Sequence, residues 1–304
     1  MKKSRVESIA TQKFNKKQVD VLVETKRVAA WISSSQQKAV LQLLEVECHD
    51  NPVLKEVIIK LLKWVEMFRP DKYRADMCSA LECLICKLGF EDAKPNTEII
   101  GIIEGYQSDG CAIPFSLIRN TGLYKNVSPS FVNVEKVRLA KGLSKVEKKK
   151  ILIDNIASSI ESRCSKDLKN LILVDDFVGT GNKVLRYVEA IQQVYPNVNL
   201  AVLSLMSLES GAQTLKREQK KRGFIFGCFE IVPQLNGERL TKEEVRILAR
   251  FEGEALRAPL NYVLGYEKSM ALSVIAGHAA SNNVFPLFWF SHKGEGNRPV
   301  LFGR

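Results

Sequence analysis

The segment Leu171-Ile-Leu-Val-Asp-Asp-Phe-Val-Gly-Thr-Gly-Asn-Lys-Val184 decides how the chain folds. Its first four residues are apolar and predict a buried strand, and the apolar spacing from residue 184 to residue 191 predicts a helix after the glycines. Two carboxylates, Asp175 and Asp176, follow the predicted strand directly. A strand, a glycine turn and a helix in this order are typical of an α/β sheet that binds its ligand at the carboxyl ends of the strands.

The glycines and the acids of this segment suit different chemical groups. Gly179-Thr180-Gly181 lets the backbone turn tightly, so that several N–H groups and the helix N-terminus can converge on one anion. The carboxylates of Asp175 and Asp176 repel an anion and suit sugar hydroxyls or a hydrated Mg²⁺ instead. Together these features predict a site for a ribose 5-phosphate.

Three alternative interpretations of the same segment are weaker. An acidic strand end of a P-loop protein needs a partner loop, but Gly105–Gly110 continues as Cys111-Ala112 and lacks the Lys-Ser/Thr pair. A dinucleotide-binding loop would not have Val184 as its last position or two acids before its glycines. A plain surface turn leaves the acids unexplained, because carboxylates that end an apolar strand are costly without a ligand.

The rest of the chain after Pro95 alternates strands and helices. Capping boxes at Ser144–Glu147 and Thr241–Glu244 predict helices that run to about Ile160 and Leu256. Further apolar runs predict strands at residues 98–103, 131–134, 200–205, 224–232, 271–276 and 284–290. Apolar strands that alternate with helices predict a doubly wound, mostly parallel α/β sheet.

The distribution of glycine divides the chain in two. All 18 glycines lie at or after Gly89, and glycine serves turns and ligand loops. Before that point a helical stripe runs from Leu54 to Phe68 and is ended by Pro70, and residues 73–88 predict another helix. We therefore expect an all-α N-terminal region over residues 1–90 and an α/β domain over residues 91–304.

Residues 171–184 resemble the phosphoribosyl-pyrophosphate (PRPP) motif of type I phosphoribosyltransferases. The resemblance implies that the catalytic candidates Asp175 and Asp176 hold the ribose 2′- and 3′-hydroxyls. It implies a 5′-phosphate loop of Gly179, Thr180, Gly181, Asn182 and Lys183. It also implies Mg²⁺ carried by the substrate, with no metal bound directly by the protein. The family usually has a second glycine and a threonine at positions 182 and 183, and its purine-salvage members have an aspartate at 179, so purine salvage is disfavoured.

A narrower resemblance covers more of the chain. The helical N-terminus, the segment 174–182 and a tail with residues 282–289 and 299–304 resemble the phosphoribosyltransferase-like family of bacterial anti-phage systems, including retrons. This implies an effector that acts on or senses nucleotides, with a reverse transcriptase and its DNA product as partners. The hypothesis is Mg²⁺-dependent ribosyl-phosphate transfer or nucleotide hydrolysis. The alternative is a non-catalytic module that senses nucleotides and docks nucleic acid or protein.

Two further groups of residues are candidates for the same site. Ser108, Asp109 and Gly110 follow the strand predicted at 98–103 and are placed like a pyrophosphate-binding loop, although an ordinary strand-to-helix turn explains them equally well. Tyr266, Asn283 and Trp289 offer ring faces for stacking and an amide for reading a base edge, as a nucleobase pocket requires. Strand packing is the alternative for the aromatic residues of this tail.

Charge and composition limit the partners. The chain has 45 Lys+Arg against 34 Asp+Glu, a formal net charge of +11, which favours anionic partners such as nucleotides or nucleic acid. Basic runs at residues 145–150 and 216–222 are compatible with a phosphate-backbone contact or with solvated helix faces. A homo-oligomer is compatible with the sequence as well.

Other features point to a cytoplasmic location away from membranes. No apolar run has the ~20 residues of a membrane-spanning helix, and the basic N-terminus is not followed by the apolar core of a signal peptide. Seven scattered cysteines favour a reducing compartment. The spacing Cys78-x₄-Cys83-x₂-Cys86 has the count of an iron–sulfur motif, but the intervening residues favour a helix, so buried helical cysteines are expected.

Overall fold

A computed structural model of the chain describes residues 33–69, 74–87, 96–104, 114–116, 129–134, 140, 142–232, 234–235, 239–275, 283–291 and 300–302. Its helices are α1 Ser34–Leu41, α2 Pro52–Trp64, α3 Arg74–Lys87, α4 Lys145–Arg163, α5 Asn182–Val194, α6 Glu209–Arg222, α7 Lys242–Arg250 and α8 Pro286–Trp289. Its strands are β1 Glu66–Phe68, β2 Thr97–Glu104, β3 Pro129–Val134, β4 Asn170–Val178, β5 Asn199–Leu208, β6 Phe224–Val232 and β7 Ser273–Ile275. Single π-helical turns follow α1 at Gln42–Glu47 and α7 at Phe251–Ala255.

Strands β2 to β6 form a parallel sheet in the order β3-β2-β4-β5-β6. All four of its strand pairs are parallel, and helices α4, α5 and α6 connect β3 to β4, β4 to β5 and β5 to β6, as a crossover between parallel strands requires. Strand β4, which carries the decisive segment, lies in the centre and is buried along almost its whole length. The prediction of a mostly parallel sheet flanked by helices is confirmed.

Strand β4 is held in the sheet by its apolar side chains and by hydrogen bonds at its amino end. Alternate residues such as Leu171 and Leu173 are fully buried in one cluster with Ile156 of α4 and Val188 of α5. At the amino ends of the strands, Asn170 Nδ2 donates to Thr97 Oγ1 at 3.1 Å, and Asn199 Nδ2 donates to Asn170 Oδ1 at 2.9 Å. These paired side chains satisfy the buried amide of Asn170 and favour the observed register of β2, β4 and β5.

The chain folds into two compact units. One consists of residues 70–233 and contains the five-stranded sheet, and the other combines residues 1–69 with residues 234–304. In the discontinuous unit, Lys60 of α2 forms an ion pair with Glu244 of α7 at 3.0 Å, and β1 pairs in parallel with β7. The division into domains at about residue 90 stays a prediction, and it differs from this grouping, in which the last part of the chain folds with the N-terminal helices.

The expected helix from Leu54 to Phe68 is wrong at its end. Helix α2 stops at Trp64, Val65 is extended, and residues 66–68 form β1 instead. The amide of Glu66 donates to the carbonyl of Leu272 at 3.1 Å, which begins the pairing with β7. The N-terminal region is therefore not all-α, because a distant segment supplies a strand partner that the local helical spacing cannot reveal.

The predicted strands near the C-terminus are also corrected. Within residues 284–290, Pro286–Trp289 form the short helix α8 rather than a strand, with Pro286 at its first position, where a missing N–H has no effect on the helix. The buried Glu252 accepts a hydrogen bond from the amide of Leu287 at 3.0 Å and so caps this helix. Of the strand predicted at 271–276, residues 273–275 form β7, Ala271 forms an isolated bridge with Val284, and residue 276 lies outside the described residues.

The cysteines of the iron–sulfur-like spacing lie on helix α3, as the helix-forming residues between them predict. The expectation that they are buried is wrong for Cys83 and Cys86, which are exposed, whereas Cys78 is half-buried. Both exposed cysteines lie on the same side of α3, three residues apart. Among the helices that the structure describes, none is both long and apolar enough to cross a membrane.

Candidate functional site

Strand β4 carries both acidic residues into the sheet. The sequence predicted that Asp175 and Asp176 follow the strand. The strand continues to Val178, so both acids lie inside it instead. Successive residues of a strand point to opposite faces, and the two carboxylates are accordingly unequal in exposure. Asp175 is only 5% exposed and pairs in register with the buried Ser204 of β5, whereas Asp176 is half-buried.

The carboxylate of Asp175 has two close polar neighbours. The amide of Asp176 donates to Asp175 Oδ1 at 3.1 Å, and the ammonium of Lys183 lies 3.7 Å from Oδ2. Burial raises the pKa of Asp175 to about 7, the charge of Lys183 opposes that rise, and the charge of Asp176 adds to it. Asp175 is therefore a carboxyl group whose ionisation responds to whatever binds beside it.

The glycine loop joins this strand end to helix α5. Gly181 has a φ of +83°, a backbone conformation that favours glycine, and its carbonyl accepts from the amide of Leu185 at 3.0 Å. Helix α5 begins at Asn182, so its first amides point toward the loop and lack carbonyl partners inside the helix. The local geometry is the one that binds an anion at a helix N-terminus.

Gly211, in the first turn of α6, is a part of the site that the sequence analysis missed. A Cβ atom at this position would lie 2.0 Å from the carbonyl oxygen of Gly179, and a Cβ at Gly181 would lie 3.3 Å from Cγ of Leu215. The backbone of the glycine loop therefore rests directly on α6. A signal existed, because glycine inside a helix is unfavourable and this one lies three residues after the end of strand β5.

Lys183 lies beside the carboxylate of Asp175 and is partly exposed. Besides Asp175, its ammonium lies 5.4 Å from the ring centroid of Tyr187, one turn further along α5. The side chain is 44% exposed. Strand β4, the glycine loop and the first turn of α5 thus bring together Asp175, Asp176 and Lys183, and the role of these residues at a ligand stays a prediction.

The other candidate residues fall outside the described part of this unit. Ser108, Asp109 and Gly110 lie outside the described residues. Tyr266, Asn283 and Trp289 belong to the discontinuous unit, whereas Asp175 belongs to the other. Their assignment to a pyrophosphate loop and a base pocket stays a prediction.

Two of the three base-pocket candidates, Tyr266 and Trp289, both lie near the ring of Tyr262. The ring of Tyr262 is 5.9 Å from that of Tyr266 and 6.0 Å from that of Trp289, and Trp289 Nε1 donates to the carbonyl of Val284 at 2.8 Å. Asn283 is buried, and its backbone carbonyl accepts from the hydroxyl of Ser269 at 2.8 Å. Trp289 is buried in a helix and not in a strand.

The donor atoms of the site fit a hydrated divalent cation carried by a ligand. Within the described parts of the chain, no three His, Cys, Asp or Glu side chains gather to hold a metal ion. Asp175 and Asp176 supply carboxylate oxygens, which Mg²⁺ prefers, and two carboxylates leave most positions of its octahedral shell to water or phosphate.

A parallel sheet with an acidic pair inside its central strand and a glycine loop on a helix N-terminus defines a phosphoribosyltransferase-like domain of type I. The sequence profile of the family described as PRTase-CE matches residues 130–304, and the chain belongs to this family.

Solved structures of phosphoribosyltransferases are similar to the chain at low sequence identity. Xanthine-guanine-hypoxanthine phosphoribosyltransferase from Helicobacter pylori is 10% identical, with 60% of this chain and 97% of that chain covered and a TM-score of 0.30. Orotate phosphoribosyltransferase from Aeropyrum pernix is 16% identical, with 50% and 69% covered and a TM-score of 0.27.

A third similar structure is adenine phosphoribosyltransferase from Trypanosoma brucei in complex with AMP, pyrophosphate and ribose-5-phosphate. It is 13% identical, with 55% of this chain and 67% of that chain covered and a TM-score of 0.30. No curated protein matches the chain.

Proposed function

We propose that the chain binds PRPP or a related nucleotide through Asp175, Asp176 and the loop of residues 179–183. The observation that carries this proposal is the burial of the Asp175 carboxyl beside a glycine loop that opens a helix. A buried carboxyl with a raised pKa costs stability wherever it is ionised, and groups of this kind concentrate at ligand-binding and catalytic sites. Sugar hydroxyls are suitable ligands because they donate hydrogen bonds to carboxylates.

The proposed chemistry is transfer or hydrolysis at C1 of the ribose. As the pyrophosphate or base leaves, positive charge develops on the sugar ring, and carboxylates that hold its hydroxyls stabilise that charge. The glycine loop fixes the 5′-phosphate, so the reacting carbon is oriented without a protein nucleophile. Mg²⁺ bound to the substrate would neutralise the leaving pyrophosphate.

Calorimetry with PRPP and Mg²⁺ tests the binding proposal. We expect wild type to bind and the double variant Asp175→Asn/Asp176→Asn to lose binding. The matched control is Asp154→Asn/Asp167→Asn, which removes the same charge from helix α4 and the loop after it and is expected to bind like wild type. If the wild-type protein shows no binding of PRPP, the substrate assignment is wrong.

A second candidate function is a non-catalytic nucleotide sensor. It is favoured by Lys183, which stands where type I phosphoribosyltransferases usually have a threonine and whose ammonium lies 3.7 Å from the Asp175 carboxylate. Metabolite profiling of expressing cells separates the two. Depleted or altered nucleotide pools that recover in the Asp175→Asn/Asp176→Asn variant support an enzyme, whereas unchanged pools with toxicity retained in that variant support a role without catalysis.

The biological setting is proposed from the sequence resemblance alone. We propose an effector of bacterial anti-phage defence of the retron type, with a reverse transcriptase and its nucleic acid product as partners and a cytoplasmic location supported by the scattered cysteines. Phage protection that disappears in Asp175→Asn/Asp176→Asn but persists in the control double variant would support it. Size-exclusion chromatography with light scattering tests the proposed homo-oligomer.

A further inference from the structure

Two basic segments that the nucleotide site does not use meet on one surface of the sheet-containing unit. Glu189, in the middle of α5, pairs with Lys149 of α4 at 2.9 Å and with Arg222, the last residue of α6, at 3.5 Å. One carboxylate therefore holds cations from the basic runs 145–150 and 216–222, which are far apart in the sequence. Gln192 of α5 also donates to the carbonyl of Arg222, which fixes the end of α6 against α5.

A second carboxylate in the same place is shared by even more cations. Glu218 of α6 lies 3.5 Å from Arg217, 3.3 Å from Lys221 and 3.4 Å from Arg222. Four cations are thus arranged around two carboxylates. The hydrogen bond from Lys221 lowers the pKa of Glu218, so this carboxylate is ionised at neutral pH and still cannot balance its neighbours.

Further lysines add to the excess positive charge of these ion pairs. Lys145 and Lys148 are exposed on the turn of α4 that precedes Lys149. We define the α4–α6 basic surface as these two residues with the two carboxylates and their four cations, a formal charge of +4. The carboxylate of Glu147, the acid nearest to it on α4, caps the helix by accepting a hydrogen bond from the amide of Ser144 at 2.8 Å.

The surface has the exposure of a docking site for an extended polyanion. Side chains of Lys149, Arg217 and Lys221 are 52%, 68% and 65% exposed, so their charges remain available to a ligand. Exposed ion pairs contribute little to stability, and the unbalanced cations repel each other. A run of phosphates would relieve that repulsion, and arginine matches phosphate with its planar fork of donors.

We propose that the α4–α6 basic surface binds the phosphodiester backbone of nucleic acid without reading its sequence. The proposal is independent of the nucleotide site, because it uses none of residues 175–183. The net charge of +11 of the whole chain has the same sign and would draw nucleic acid toward the protein. Backbone contacts of this kind give affinity that depends on salt and little on base sequence.

The test is fluorescence anisotropy with a short labelled single-stranded DNA over a range of about 50 to 200 mM salt. The variant is Lys149→Gln/Arg217→Gln/Lys221→Gln in the full chain. The matched control, Lys63→Gln/Lys166→Gln/Lys242→Gln, removes the same charge at exposed lysines outside the surface. We expect the variant to lose at least ~10-fold in affinity and its salt slope to fall by about 2, since each contact with a single strand adds about 0.7 to that slope.

Several outcomes would overturn the proposal. An unchanged affinity and slope in the variant would show that these cations do not contact the DNA. An equal loss in the control would show that they act only through total charge. Competition by polyglutamate or by phosphatidylserine vesicles as effective as competition by unlabelled DNA would assign the surface to an acidic protein or a membrane. Calorimetry with PRPP on the same variant, with unchanged binding expected, separates failure of this surface from failure of the nucleotide site.

Discussion

Asp175 is the residue at which folding and function conflict. Its carboxyl is buried beside the side chain of Asp176, and two groups favour its ionised form: the amide of Asp176, which donates at 3.1 Å, and the ammonium of Lys183, which lies at 3.7 Å. Burial dominates over both, so the pKa of Asp175 rises from 3.8 to about 7. Folding therefore moves Asp175 toward the neutral acid and away from the carboxylate that a sugar hydroxyl would need.

The stability of the protein should reflect this pKa. Because the pKa of Asp175 is raised on folding, its contribution to stability is complete below about pH 4 and is lost as the pH rises through about 7. Asp175→Asn cannot ionise, so we expect it to unfold like wild type at about pH 4 and to be more stable by up to about 4 kcal/mol at about pH 8. Denaturant titrations at both pH values measure the difference.

The control for this prediction is Asp167→Asn, an exposed carboxyl whose removal should leave the stability unchanged at both pH values. A variant Asp175→Asn that is less stable than wild type at about pH 8 would contradict the argument. That result would mean that the ionised carboxylate is held by the fold and is not a group kept for a ligand.

Lys183 should set how acidic Asp175 is. Its ammonium lowers the pKa of Asp175, so Lys183→Gln is expected to move that pKa further up and to move the loss of stability to higher pH. Carbon-13 NMR of the Asp175 carboxyl reports the pKa directly. Lys166→Gln, which removes an exposed charge elsewhere in the same unit, should leave it in place. A downward shift or no shift in Lys183→Gln would show that the ammonium does not act on this carboxyl.

At the scale of elements, the glycine loop depends on helix α6 as much as on α5. The carbonyl of Gly179 occupies the space that a side chain at Gly211 would need, and Leu215 lies against Gly181. Since the obstructing atom is backbone, a side chain at Gly211 forces the loop or the helix to move. The carboxyl end of β4 and the start of α6 thus position the loop jointly.

We expect Gly211→Ala to displace the loop, to reduce stability by about 1–3 kcal/mol and to weaken PRPP binding at least ~10-fold. The control is Gly253→Ala, which adds the same methyl group where the nearest atom is Val263 Cγ2 at 3.9 Å. Calorimetry gives the affinity and thermal unfolding the stability. Wild-type affinity in a folded Gly211→Ala protein would show that the loop is not the part that holds the ligand.

The elements also show how far the sequence predicts the structure. The segment 171–184 predicted its own strand, turn and helix, because burial and glycine act locally there. The carboxyl end of β4 was misjudged, since pairing with β5 extends the strand through both acids to Val178. The strand predicted for the apolar run 284–290 was wrong, because the periodicity of a short, fully apolar run does not distinguish a strand from a helix. Pro286 at the first helical position and the cap from Glu252 favour the helix.

At the scale of the whole molecule, the grouping of the chain depends on contacts that no local pattern carries. Residues 234–304 fold with residues 1–69, and strand β1 exists only because β7 pairs with it. Glu252 is central to this discontinuous unit. It is fully buried and accepts from the amides of Leu264 at 2.6 Å and Leu287 at 3.0 Å, which ties the turn before β7 to helix α8.

Glu252→Gln should therefore destabilise the discontinuous unit locally and leave the sheet-containing unit unchanged. Glutamine keeps the size of the side chain but only one of its end atoms accepts, so one buried amide is left unsatisfied at a cost of about 1–3 kcal/mol. We expect faster hydrogen exchange at Leu264 and Leu287 and unchanged exchange along β4 and β5. Glu254→Gln, at an exposed neighbouring position, serves as the control. Equal acceleration in β4 and β5 would mean that the two units unfold together, and unchanged exchange at both amides would mean that Glu252 does not hold them.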